Sequence, residues 1–161
     1  MIRAALCAVL LLAACDDTPA PAPPPSTLTQ AAVGHYCGMA LLDHPGPKGQ
    51  IHVAGRPVPY WFSSVRDTKA FTLLPEEPKT IAAIYVTDTG QDPPSWIEAD
   101  RAVYVIGSDQ MGGMGAPEAV PFGDRAAADL FAKEHGGRVV AWSAIPADYV
   151  LGGTEASHDA H

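Results

Sequence analysis

Thiols and charge are both scarce in this chain. Its 161 residues hold 3 cysteines and 4 methionines. Cys7 and Cys15 fall in the N-terminal leader, which leaves Cys37 alone in the rest of the chain. A paired-cysteine zinc site is excluded, because such sites need more thiols. With Cys15 acylated as argued below, no internal disulfide can form. Charged residues make up only 17%, with 10 Lys and Arg against 18 Asp and Glu. The net charge of -8 repels nucleic acid phosphates and anionic lipid, so neither is an expected partner. No glycine-rich loop leads to a lysine, which excludes a phosphate loop. The carboxylates are scattered, with Asp16-Asp17 and Glu76-Glu77 on loop-like stretches, and assemble no acid/base pair.

What sulfur there is lies close together. Apart from Met1, every methionine stands either in Cys37-Gly38-Met39 or in Met111-Gly112-Gly113-Met114-Gly115. Thiolate and thioether are soft donors that select Cu(I) over hard cations. Gly38 lets Cys37 and Met39 flank a turn; in an extended strand the two would face one side. A free cysteine is more often a small buried hydrophobe, but this one sits between Gly34, His35 and Gly38 rather than in an apolar run. Met111 and Met114 have little rigid neighbourhood to fill among three glycines, so a metal or docking role is expected of the loop, with Met114 ahead of Met111. His35 would complete a His-Cys-Met set at alternating positions. His44 lies in a turn, His44-Pro45-Gly46-Pro47, and His52 in a strand. Both carry less weight.

The leader reads as an export signal. Met1-Ile2-Arg3 supplies one positive charge, and Ala4 to Ala14 is an apolar run of 11 residues, too short for a permanent span. It ends in Leu12-Ala13-Ala14-Cys15, which resembles a bacterial lipobox and implies lipidation of Cys15. At about 0.8 kcal/mol per buried methylene, several acyl chains would anchor the protein firmly. Asp16 resembles an inner-membrane retention signal. Asp16 to Ser26 carries Pro19, Pro21, Pro23, Pro24 and Pro25, a tether expected to be extended and outside any core.

The remainder divides into two similar halves. The first reads as strands at Gln50 to Ala54 and near Pro59 to Phe62, a helix over Val65 to Leu74 and a strand over Ile81 to Val86. The second repeats this with Ala102 to Ile106, Val120-Pro121-Phe122, a helix over Arg125 to His135 and a strand over Arg138 to Trp142. Phe62 and Phe71 are spaced like Phe122 and Phe131, and Ser64 and Asp124 stand as N-caps. An α+β fold is expected, with two tandem strand–strand–helix–strand modules over residues 34–90 and 91–153. A leader over 1–14 and a tether over 15–33 precede them, and a polar tail over 154–161 follows. Asp88 to Pro94 is the expected join.

Gly34-His35-Tyr36-Cys37-Gly38-Met39, the following His44-Pro45-Gly46, Trp61-Phe62-Ser63-Ser64-Val65-Arg66-Asp67, Ala102 to Ser108 and Met114-Gly115-Ala116-Pro117-Glu118-Ala119-Val120-Pro121-Phe122 resemble the NosL family, in order, over about residues 34 to 146. The resemblance implies an organomercurial lyase-like fold of two modules. It also implies a periplasmic lipoprotein that binds Cu(I), hands copper to the NosDFY membrane complex and serves maturation of nitrous oxide reductase. The expected ligands are Cys37 as anchor, Met39 and Met114 as thioethers, and His35 and Met111 as further donors. No enzymatic activity is expected. A thiol-dependent enzyme built on Cys37 and a scaffold without metal remain the competing classes.

Overall fold

The computed structural model describes residues 21–152. Its first half is built on β1 (Gly49–Val53), a strand whose five residues are all buried. This strand pairs antiparallel with β2 (Tyr60–Phe62) on one side and with β3 (Ile81–Thr87) on the other. Between β2 and β3 runs α1 (Val65–Leu73), which starts where the Ser64 side chain accepts a hydrogen bond from Asp67 N at 3.0 Å. That cap satisfies one of the free N–H groups of the first turn. Gly49 lets the helix settle on the sheet, since a Cβ there would collide with the Thr68 side chain. Phe62 and Phe71 then meet with ring centroids 5.5 Å apart, packed with Ile51 and Val53. β4 (Trp96–Glu98) completes the first sheet against β3, giving the order β2-β1-β3-β4.

The second half runs in the same order. β5 (Val103–Ile106) is central, with β6 (Val120–Phe122) and β7 (Arg138–Ala141) antiparallel on either side. Asp124 caps α2 (Arg125–His135) by accepting from Ala127 N at 3.0 Å, and Gly136 and Gly137 stop it with φ of 76° and 87°. Phe122 and Phe131 lie 5.2 Å apart, much like their counterparts in the first half. The fold class is α+β, as expected. A shared core joins the halves: Val65 and Val86 from the first pack with Tyr104, Ile106 and Val140 from the second. A short helix, α3 (Ala147–Leu151), lies against α1, and Arg66 Nε donates to Val150 O at 2.9 Å.

Two expectations need correction. The first sheet does not end before residue 91: β4, read from sequence as part of the second module, pairs with β3, and Trp96 packs toward Trp61 with centroids 6.0 Å apart. The tether expected over 15–33 is not wholly free of the domain either. Gln50, fully buried in β1, offers its amide to the backbone of Ser26, accepting from its N–H at 2.8 Å and donating to its carbonyl at 3.1 Å. Tyr85 O–H donates to Pro23 O at 2.7 Å. A buried carboxamide requires partners, and the proline-rich segment supplies them. Leu28 and Ala32 continue into a small core with Leu41 and Trp61. Among the described residues no helix is long and apolar enough to cross a membrane. The leader, Cys15 and the tail over 154–161 lie outside the described residues.

Candidate metal centre

Cys37 is held by a tight turn laid along β2. Val33 bridges Ala40, Gly34 bridges Trp61, and His35 N donates to Trp61 O at 2.7 Å. Gly38 N returns to Gly34 O at 2.9 Å, with Gly38 at φ 68°. The cysteine and Met39 therefore flank a turn; they do not alternate along a strand. Gly34 is sterically required, because a Cβ on it would strike Cys37 Sγ. The thiol is a free one, and Ser63 Oγ donates to its sulfur at 3.7 Å. Ser63 immediately precedes the cap of α1, so the sulfur stands at the start of that helix.

The methionine loop reaches the same place from the second half. Gly112 N donates to Ala116 O at 2.8 Å, Gly115 N to Gly112 O at 2.9 Å, and Met111 bridges Pro117. Met114, 51% exposed, lines a cleft of about 240 Å³ with Ser64, Arg66, Asp67, Gly112 and Glu118. Ser63 touches Cys37 and Ser64 lines the Met114 cleft, so the two sulfur segments, more than seventy positions apart in sequence, lie against neighbouring residues of one helix start. Met39 and Met111 are 41% and 46% exposed, each on its own loop. All three thioethers face solvent.

The histidines divide differently from the sequence expectation. His35 packs its ring against Tyr36, Tyr60 and Phe71 while remaining open to solvent, and its Nε2 pairs with Glu77 Oε1 at 3.1 Å. Tyr36 O–H donates to the same oxygen at 2.9 Å. Only Nδ1 of His35 is left to offer a metal. His44, given less weight in the sequence, lies under the methionine loop: a Cβ on Gly113 would come within 3.0 Å of His44 Cβ. Its Nε2 is buried and has no partner among the described residues. The turn that carries it is fixed by Lys48, whose Nζ donates to Pro45 O at 3.0 Å and Gly46 O at 2.6 Å. Burial pushes the Lys48 ammonium below its ordinary value, opposed by the nearby Glu118.

Sequence reasoning passed over Glu118. It is 1% exposed, and its Oε1 accepts from Ala119 N at 2.8 Å and Arg66 N at 3.2 Å. Its Oε2 is buried without a partner among the described residues. Burial pushes this carboxyl up to about 8, against the N–H groups of Ala119, Arg66 and Val65, which favour the charged form. The available signal was one acid inside the otherwise apolar stretch Ala116 to Phe122.

Among the described residues no three His, Cys, Asp or Glu side chains gather as a metal site. The donors that the two segments do offer, one thiol and exposed thioethers, suit Cu(I). The unpartnered His44 Nε2 is a borderline donor that fits the same ion.

Comparison with known proteins identifies the family. The family model described as NosL matches residues 25–150. The copper-binding lipoprotein NosL of Achromobacter cycloclastes is 47% identical over 152 residues, covering 89% of this chain and 79% of that protein. The copper-binding lipoprotein NosL of Stutzerimonas stutzeri is 38% identical over 117 residues, covering 69% of this chain and 60% of that longer protein. The crystal structure of the copper chaperone NosL from Shewanella denitrificans superposes with a TM-score of 0.71 at 30% identity, covering 78% of this chain and 98% of that one. The family match spans most of the chain and takes in both sulfur segments, and with 47% identity to a curated member the chain belongs to the NosL family.

Proposed function

We propose that this protein is a lipid-anchored periplasmic Cu(I) chaperone that passes copper to the NosDFY membrane complex for maturation of nitrous oxide reductase. One observation supports the reading: the single thiol of the described chain lies against Ser63 and an exposed thioether loop lines a cleft with Ser64, neighbouring residues at the start of α1. The names of the relatives, copper-binding lipoproteins and a copper chaperone, support it. Cys37 thiolate anchors the ion, and Met39 and Met114 add thioethers. Met111 is in the same loop as Met114, and His44 lies beneath that loop at Gly113. His35 joins through Nδ1 or by releasing Glu77.

Exposed thioethers suit hand-over. An incoming soft ligand can bind before an old one leaves, so the ion is never stripped bare. Cys15 supplies the lipid anchor, in the inner membrane, and the docking of Pro23 and Ser26 on the sheet limits how far the domain can swing from it. Nucleophilic use of Cys37 is less well served, because the partner of its sulfur is a hydroxyl and not an imidazole base.

The test is anaerobic Cu(I) titration of the protein against a chromophoric chelator, wild type beside Cys37→Ser. Residues that merely support a ligand change metal affinity by about 10–100-fold, so losing the anchor should weaken binding by at least about a hundredfold. Equal affinity in the two proteins would sink the assignment.

A further inference from the structure

Among the described residues Glu118 is a fully buried acid that lies between the start of α1 and the methionine loop. Its Oε1 is bound by the backbone N–H of Arg66, in the first turn of α1 beside Ser63 and Ser64. Its Oε2 faces the methionine loop: a Cβ on Gly112 would lie 2.9 Å from it. The backbone of Glu118 closes the loop as well, since Glu118 N donates to Gln110 O at 3.1 Å. Tyr149 O–H holds Glu118 O at 2.8 Å from the side of α3. A buried carboxyl oxygen without a partner is costly, and such groups persist where they serve a purpose.

We propose that Glu118 is a positioning residue, tying the first turn of α1 to the inner side of the Met111–Gly115 loop and so fixing Met114 relative to Cys37. This rests on the copper reading above, in which Met114 is a ligand. Glu118 itself touches no metal in this role. It shares the cleft with Met114, and its two oxygens face the two structures that must be held in register. The loop's own backbone hydrogen bonds close it upon itself, but among the described residues the Glu118 carboxyl is the side chain that links this segment to the N–H groups at the start of α1. Glutamine keeps both the shape and the acceptor, and it matches a carboxyl group that burial keeps protonated near neutral pH.

The experiment compares Glu118→Ala, Glu118→Gln, Met114→Leu and the Ala/Leu double variant with wild type. Anaerobic Cu(I) competition gives affinity, and copper X-ray absorption counts sulfur neighbours. Glu118→Ala is expected to weaken Cu(I) binding about tenfold, at the lower end of what supporting residues do, and to remove one sulfur neighbour. Glu118→Gln should restore both. The double variant should bind no more weakly than Met114→Leu, because both changes remove the same thioether. Additive losses, or a Glu118→Ala protein with the wild-type sulfur count, would overturn the proposal while leaving Met114 a ligand. A silent Met114→Leu would instead overturn the thioether reading, and the positioning role with it. Should Glu118→Ala not fold by circular dichroism, Gly112→Ala asks the same question, since its methyl would meet Oε2 at 2.9 Å and force the carboxyl and the loop apart. Loss of one sulfur neighbour supports the proposal, and wild-type coordination refutes it.

Discussion

The two helices of the repeated order differ in how deeply they are covered. α1 buries Val65, Thr68, Lys69, Ala70 and Phe71, whereas α2 buries only Ala128 and leaves Leu130 62% exposed. Both start at a side-chain cap, Ser64 in one and Asp124 in the other. At α1 the capped end is built over by the Cys37 turn, the methionine loop and the Glu118 carboxyl. At α2 it carries an exposed Arg125–Asp129 pair, with nitrogen and oxygen 3.3 Å apart, and the Asp88–Gly90 turn packs beside it, near Gly123 and Ala127. One supersecondary unit thus serves in two ways. Where flanking segments close over a helix start they can fix soft donors in place, and where they do not the helix only shields a sheet.

The largest expected difference lies in the paired phenylalanines. Phe71 is fully buried and Phe131 only half-buried, though each stacks on its strand partner at a similar distance. Removing a buried Phe side chain costs about 3–5 kcal/mol, through lost transfer energy and the cavity left behind. Phe71→Ala should reach that range in urea denaturation, and Phe131→Ala should cost roughly half as much, since less of the ring leaves water. Equal losses would mean that the halves are equally consolidated and that the contrast is superficial.

Much of this contrast could be read from the sequence, and some could not. Both helices were legible, because cap residues stand before amphipathic runs and glycines follow α2. The matched spacing of Phe62 to Phe71 and Phe122 to Phe131 foretold the equivalent ring pairs. β4 was not legible: it is three residues long and follows Pro93-Pro94-Ser95, which reads as a turn. The docking of Pro23 and Ser26 was hidden because their partners, Tyr85 and Gln50, lie in β3 and β1 and nothing local announces them. In the site, Cys37 and the methionines were visible by residue type alone. Glu118 and His44 were not, since their importance comes from burial against segments distant in sequence. Glu118 meets Arg66 across 52 positions. His35 stood out by its spacing from Cys37, yet its Nε2 is bound to Glu77.

A second contrast concerns pH. Glu118 has its carboxyl pushed from the ordinary 4.5 up to about 8, and burial raises neighbouring Asp67 as well. Unfolding frees such groups to ionise, so the native state binds more protons than the unfolded one over this window. The stabilisation is complete below about pH 4.5 and is lost as pH rises toward 8. His52, lowered by burial, acts oppositely in the acid range, and Lys48 beside Glu118 is also lowered. The wild-type minus Glu118→Gln difference in denaturation midpoint isolates Glu118. In the metal-free protein, wild type should lose stability relative to Glu118→Gln as pH rises from about 5 to about 8. The loss should reach a few kcal/mol, since one proton released on unfolding changes stability by about 1.4 kcal/mol for each step of one in pH. Parallel pH profiles would show that the start of α1 holds no buried neutral acid.

The smallest effect is the sharpest probe of the comparison. Ser64→Ala and Asp124→Ala each remove one cap hydrogen bond of 3.0 Å and should each cost about 1 kcal/mol of stability. Their effects on copper should differ. Ser64 lines the Met114 cleft and follows Ser63, whose hydroxyl meets Cys37 sulfur. Fraying the first turn of α1 loosens both sulfur segments together, whereas fraying α2 leaves them untouched. Cu(I) competition is expected to show several-fold weaker binding for Ser64→Ala and wild-type binding for Asp124→Ala. Stability measured beside affinity separates the cause, because a general loss of folding would weaken both proteins alike. If Asp124→Ala weakened copper binding as much as Ser64→Ala, the site would depend on the whole domain rather than on the helix start that carries it.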